Sequence, residues 1–386
     1  MSATDSMRES TPMATTGIDA GMVTGAHPTI VPRPGIMEIT PYVGGESKVA
    51  GANRVIKLSS NENPLGPSPK ALEAAQESIR HMALYPDGGA VALRDAIAAA
   101  HGIEAERIVC GAGSDELISL LCKAYTGPGD EVLASQHGFL MYKLSALAAG
   151  ATYVTAPEQA LTTDIDAMIG AMTERTRLVF LADPNNPTGT MVGRAALARL
   201  ADALPAGALL VIDAAYAEYV REAGEDGGIG LVRDRDNVVM TRTFSKIHGL
   251  AALRLGWAYA PDHVVDVLNR VRGPFNVTAT AIAAGAAAVA DRDWVEHCAV
   301  QNEAWREWLA RALSKAGFTA TTSHANFLLV EAGTRVDGLD AALRARGLIV
   351  RRMDGYGLPG HLRISVGDEA ACRMVADAAA AFAAAA

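Results

Sequence analysis

Thr241-Arg242-Thr243-Phe244-Ser245-Lys246-Ile247-His248-Gly249-Leu250, continued by Ala251-Ala252-Leu253-Arg254-Leu255-Gly256, is the most informative stretch of this chain. It follows Asn237 to Met240, an apolar and β-branched run that predicts a short buried strand. The strand delivers one lysine among small polar neighbours. Lys246 has Ser245 before it, Thr243 three positions back and Arg254 eight positions on. That setting suits an amine that forms a Schiff base beside a phosphate pocket. A lysine at a strand end is more often a solvated surface group, so the reading depends on what surrounds the segment.

Upstream, Ala208 to Ile212 is an apolar run ending in Asp213, with Tyr216 three residues on. A carboxylate at the end of a buried strand is costly without a cationic partner, although a core salt bridge or a cap would also account for it. Arg177 to Ala182 ends in Asp183-Pro184-Asn185-Asn186-Pro187-Thr188-Gly189, where two prolines hold an amide at the sheet edge. Farther back, Arg107 to Cys110 runs into Gly111-Ala112-Gly113-Ser114-Asp115-Glu116 and a helix with Leu117, Leu120, Leu121 and Ala124 on one face. This junction predicts either an anion site, with the N–H groups of Gly113 and Ser114 aimed at a phosphate, or a plain cap with Ser114 as N-cap. It is neither a dinucleotide fingerprint nor a P-loop. Strand-like Glu131 to Ala134 and Ala151 to Thr155 alternate with helical Tyr142 to Ala149 and Ile165 to Met172. Such alternation predicts an α/β fold with a mainly parallel sheet, helices on both faces and ligands beyond the carboxyl ends of the strands.

Past Arg254 come helix Asp262 to Val271, a break at Pro274, an alanine-rich helix and an amphipathic stretch from Trp294 to Ala316. Three strand-like pieces follow, Ala325 to Glu331, Leu348 to Met353 and His361 to Val366, in the last of which Arg363 alternates with apolar residues. The expected organisation is an extension over residues 1–34, an arm over 35–54, a large domain over 55–272 and a small C-terminal α/β domain over 273–386. The extension is rich in Ser, Thr, Gly and Met, shows no secretory signal and reads as disordered.

Composition narrows the function classes. A formal charge of -9, with no basic run, argues against a nucleic-acid surface. Cys110, Cys122, Cys298 and Cys372 have neither metal-ligand spacing nor a disulfide pattern, which fits a reducing, cytoplasmic setting without a bound metal. The longest apolar tract, Val277 to Ala290, is too short to span a bilayer.

One cofactor uses a lysine for an imine, a carboxylate for a pyridinium nitrogen, hydroxyl or amide donors for a ring oxygen, and a phosphate cradle. Pyridoxal 5'-phosphate (PLP) meets all four, with Lys246 as the amine, Asp213 at the ring nitrogen and Asn186 and Tyr216 at the ring oxygen. Gly113, Ser114, Thr243, Ser245 and Arg254 are then the phosphate residues. These segments, together with Ser60-Asn61-Glu62-Asn63-Pro64-Leu65-Gly66, Tyr85-Pro86-Asp87-Gly88-Gly89, Tyr356-Gly357-Leu358-Pro359 and Leu362-Arg363-Ile364, resemble the fold-type I PLP-dependent aminotransferases, and among them those acting on histidinol phosphate.

The resemblance implies a large domain with a mainly parallel seven-stranded sheet between helices, and a smaller α/β domain. It implies exchange of an amino group between glutamate and histidinol phosphate, as in histidine biosynthesis, by a homodimer with shared sites. In that scheme Phe139 stacks on the ring, Tyr85 reaches the neighbouring subunit's cofactor, and Arg363 clamps the substrate anion. Arg351, Tyr42 and Asn63 match further substrate contacts. Arg352 stands where a proline is common, as a second anion contact or a surface change. The alternatives are an aromatic amino acid aminotransferase of the same fold, a PLP-dependent decarboxylase of phospho-amino acids, and a PLP-binding regulatory module without turnover.

Overall fold

The computed structural model describes residues 31–41, 46 and 55–385. The chain divides into Met1–Arg33 and Pro34–Ala386, and the second unit holds every element discussed below. Tyr42 and the extension up to residue 30 lie outside the described residues.

Seven strands form the main sheet in the order Ile108–Gly111, Gly256–Tyr259, Val238–Thr243, Leu209–Asp213, Thr176–Ala182, Glu131–Ser135 and Thr152–Ala156. Only Gly256–Tyr259 runs antiparallel to its neighbours. Side chains alternate between two cores. Leu210, Ile212, Met240 and Trp257 enter one, while Leu209, Val211, Val239 and Ala258 enter the other. A sheet covered on both faces explains why these strands read as continuous apolar runs.

The alanine-rich helix Ala279–Ala290 packs on helices Pro69–Ser78 and Val91–His101 and shares the core of the seven-stranded sheet. At Gly285 a methyl group would sit 2.4 Å from Leu255 Cδ2, so a small residue is required for this approach. The expected domain change near residue 272 thus precedes a helix that still belongs to the first core. Helix Pro69–Ser78 opens on a cap, with Ser68 Oγ accepting from the Ala71 N–H at 3.1 Å and Pro69 in the first turn.

A second sheet is fully antiparallel, in the order Thr319–Ala320, Phe327–Glu331, His361–Ser365 and Arg351–Arg352. Its core includes Leu309, Leu313, Leu328, Leu339, Leu362 and Val375 from the strands, the long helix Arg292–Lys315 and helices Val336–Arg344 and Glu369–Ala385. The stretch expected as one strand from Leu348 to Met353 is two short pieces, Leu348–Ile349 and Arg351–Arg352. The first pairs in parallel with Ile56–Lys57. Among the described residues no helix is long and apolar enough to cross a membrane.

Candidate active site

Six parallel strands end on one edge of the main sheet, and the antiparallel strand starts there, so their connections converge. Ser114 follows Gly111, Phe139 follows Ser135, Asn186 follows Ala182, and Asp213 ends its own strand. Ser245 and Lys246 follow Thr243, and Arg254 precedes Gly256. Ser114, Phe139, Asn186, Asp213, Ser245, Lys246 and Arg254 line one cleft, with Tyr216 and, from the second sheet's side, Arg351, Tyr356 and Arg363. Its mixed lining suits a small polar ligand.

Asp213 is buried at the floor. Tyr142 donates to its Oδ2 at 2.7 Å, whereas Oδ1 is buried without a hydrogen-bond partner. Burial pushes this carboxyl up to about 6; the Tyr142 hydroxyl opposes the shift and nearby Asp115 adds to it. An unpartnered carboxylate oxygen facing a cleft is an open acceptor site. Lys246 donates to the Ser60 carbonyl at 3.0 Å, and burial, aided by the Arg363 charge, lowers its amine to about 8. An amine with that pKa exchanges protons near neutral pH.

The Gly111–Ser114 turn is built for close approach. A methyl group on Gly256 would lie 2.4 Å from Ser114 N, and one on Gly113, which has φ +90°, would lie 2.6 Å from Arg254 Nη2. Gly113 itself is the N-cap of helix Ser114–Tyr125, which displaces Ser114 from the expected N-cap position to the first helical residue. The Gly113 N–H is also spent on Gly111 O at 2.8 Å, correcting the expectation that it points at a phosphate. Ser114 retains its place at the helix start, inside the cleft. Arg254 donates to Ser245 Oγ at 3.2 Å and to Asp115 Oδ2 at 3.0 Å. The Thr243 hydroxyl accepts from the Ser245 N–H at 3.1 Å and so braces the loop that carries the lysine.

Arg363 is buried. Its Nη1 donates to Asn186 Oδ1 at 2.5 Å and its Nη2 to Ser59 O at 2.9 Å, while Nε has no hydrogen-bond partner. With Asn186 Oδ1 so engaged, the amide's NH₂ is its remaining polar group. Arg351 and Arg363 are register partners on adjacent strands and both line the cleft.

Three expected residues stand elsewhere. Asn63 does not line the cleft; its amide reaches Ile247 O at 2.7 Å and Cys298 Sγ at 3.3 Å. Asn61, two positions earlier, takes that place and donates to the Tyr216 hydroxyl at 2.9 Å. Tyr85 is outside its own chain's cleft, 83 % exposed and stacked on Phe275 at 4.7 Å. Arg352 bonds Asp354 at 3.0 Å and also Asp337 near the surface, so it is the surface change rather than an anion contact.

An acceptor left open at Asp213 Oδ1, a tuned amine at Lys246, and donors at Ser114, Ser245 and Arg254 fit a pyridine ring with a phosphate arm. The sequence profile of the class I and II aminotransferases matches residues 53–378. The chain belongs to this aminotransferase family. A histidinol-phosphate aminotransferase of Dinoroseobacter shibae is 57 % identical over 355 residues, covering 92 % of this chain and 98 % of the relative. One from Paramagnetospirillum magneticum is 56 % identical over 340 residues, covering 87 % and 94 %. Among solved structures, the histidinol-phosphate aminotransferase of Sinorhizobium meliloti in complex with pyridoxal-5'-phosphate is 26 % identical with a TM-score of 0.84, over 93 % of this chain and 99 % of that one.

Two polar residues at this cleft escaped the sequence reading. Tyr142 lies one helical turn beyond Phe139, a spacing that places both on one face and could have flagged it. Asn61 carried no periodic signal; it sits in a left-handed turn with φ 59°.

Proposed function

We propose that this chain is a PLP-dependent transaminase that exchanges an amino group between glutamate or 2-oxoglutarate and histidinol phosphate or imidazole acetol phosphate, in histidine biosynthesis. The observation that carries the substrate choice is the register pair Arg351 and Arg363 in the cleft of Lys246. Two arginines at one register position, both lining the cleft, suit a phosphate dianion and equally accept a dicarboxylate in the other half-reaction. The high identity to relatives of that name supports the same substrate.

Bound PLP supplies an aldehyde that takes up the amino group and an electron-withdrawing ring. Asp213 Oδ1 would hold the protonated ring nitrogen, Asn186 and Tyr216 would serve the ring oxygen, and Phe139 would cover the ring. Ser114, Ser245 and Arg254 would hold the phosphate, with Gly113 and Thr243 shaping its cradle. The Lys246 amine, which burial lowers to about 8, would take the proton from the substrate α-carbon and hold it for return.

The assembly we propose is a homodimer in which Tyr85 reaches the partner's site. Exposed Met82, Leu84, Tyr85 and Phe275 form an apolar surface that supports this reading. The location is cytoplasmic, consistent with four free buried cysteines. We place the domain change within the long helix Arg292–Lys315, whose Cys298 and Ala299 pack with Tyr216 and Ile247 while Leu309 and Leu313 enter the second core.

The test is one half-reaction. The purified PLP form is mixed separately with L-histidinol phosphate, L-phenylalanine and L-tyrosine, and the loss of its visible absorbance is followed. Fast conversion by histidinol phosphate and slow conversion by the aromatic acids is the expected result. The reverse order makes this an aromatic aminotransferase, and no conversion by any of them overturns the transaminase reading.

A further inference from the structure

Asn61 is 1 % exposed, and all of its polar groups are engaged. Its backbone N–H can only donate, and it meets Ser365 Oγ at 2.8 Å. The Ser365 hydroxyl in turn gives its own proton to Asn61 Oδ1 at 3.0 Å. With Oδ1 accepting from Ser365, Nδ2 is the amide group left for the Tyr216 hydroxyl, to which it donates at 2.9 Å. Asn326 Nδ2 donates to the Asn61 carbonyl at 2.9 Å and pins the turn. The Tyr216 oxygen therefore accepts from Asn61, and its own proton must point elsewhere. Tyr216 lines the cleft beside Lys246, whose Nζ is 5.8 Å from its ring centre.

We infer that Asn61 is a positioning residue that, through a one-way chain of hydrogen bonds from Ser365, turns the Tyr216 proton toward the cleft and makes Tyr216 a donor to an oxygen bound there. The inference rests on the PLP reading, in which that oxygen is the ring oxygen. Burial keeps the Tyr216 phenol above its ordinary range, so it is neutral and has a proton to give. Asn326 and Ser365 lie at the second sheet and Tyr216 follows a main-sheet strand, so the chain of bonds also joins the two sides of the cleft.

Asn61→Asp tests the direction with almost no change of shape. An ionised carboxylate only accepts, so the Tyr216 proton turns toward it and the ring oxygen loses its donor. A donor to that oxygen favours its anionic form and lowers the proton affinity of the bound chromophore. Absorbance titration of the PLP enzyme should therefore give a transition about one pH unit higher in the variant, roughly tenfold in proton affinity. The new charge alone also raises it, so the same substitution is made in a Tyr216→Phe background, where only the charge effect remains. A shift clearly larger with Tyr216 present is expected; equal shifts in the two backgrounds overturn the relay.

A second readout needs no cofactor. With tyrosine labelled at ¹³Cζ, the Tyr216 signal of the apo protein, assigned by its absence in Tyr216→Phe, should move downfield in Asn61→Asp as the phenol begins to donate to a carboxylate. No movement overturns the inference even where PLP binds normally. A wild-type protein that develops no visible band with PLP instead overturns the cofactor reading, and the labelled signal still decides the relay.

Discussion

Tyr142 donates a 2.7 Å hydrogen bond to Oδ2 of Asp213 and leaves Oδ1 of the same buried carboxylate without a partner. The tyrosine is held by stacking on Phe180, with ring centres 4.6 Å apart, and by an edge contact with Phe139 at 5.8 Å. It thereby sets which oxygen is left as an acceptor. Tyr142→Phe should keep the stack and the fold but remove a bond to the charged carboxylate, raising Asp213 above its value of about 6. PLP affinity should fall roughly tenfold at pH 7, and the deficit should shrink toward pH 9, where Asp213 is ionised in both proteins. Titration of the apo protein with PLP at the two pH values measures this; a pH-independent deficit counts against the assignment.

Arg363 makes two directed bonds, to Asn186 Oδ1 at 2.5 Å and to Ser59 O at 2.9 Å. A lysine keeps the charge but cannot span both acceptors and also face an anion. For Arg363→Lys we expect kcat/KM for histidinol phosphate to fall about a hundredfold, roughly 2.7 kcal/mol. Steady-state kinetics with both amino donors check it, and a change under about threefold argues against an anion clamp.

The lowered pKa of Lys246 has a consequence for the apo protein. Its folded value is about 8, against an ordinary 10.5. Between these values the unfolded chain binds the extra proton, so stability rises with pH through the interval. Below about 8 both states are protonated and the full penalty of holding a charged amine in the cleft is present. Lys246→Met should melt higher than wild type at pH 7, and the gap should close as pH approaches 10. Thermal melting of both apo proteins at each pH tests the sign. The same variant should lack transaminase activity.

The parallel sheet was legible because strands buried on both faces read as apolar runs, and the residues that matter stand where those runs stop. Asp213, Asn186 and Lys246 were found that way. Strand Gly256–Tyr259 was not, since Gly-Trp-Ala-Tyr is short and its antiparallel place depends on Gly256 fitting against Ser114. Helix Ala279–Ala290 is apolar on every side, so its pattern could not say which core owns it; contact with Leu255 decides that. Asn61 and Asn63 share a loop without periodicity, and only the left-handed turn at Asn61 determines which amide enters the cleft.

Strand Ile56–Lys57 has its partner in Leu348–Ile349, near the other end of the chain. The loop bearing Ser59, Ser60 and Asn61 hangs from that pairing, and Ser365 holds it on the far side. The loop also bonds Lys246 and Tyr216 on the main-sheet side, but its strand pairing and its Ser365 anchor come from segments about 290 to 300 residues later in the chain, contacts of high sequence separation that are slow to form. One wall of the cleft is thus tied together from two distant parts of the sequence, and a cut or loosening near residue 350 reaches a loop near residue 60.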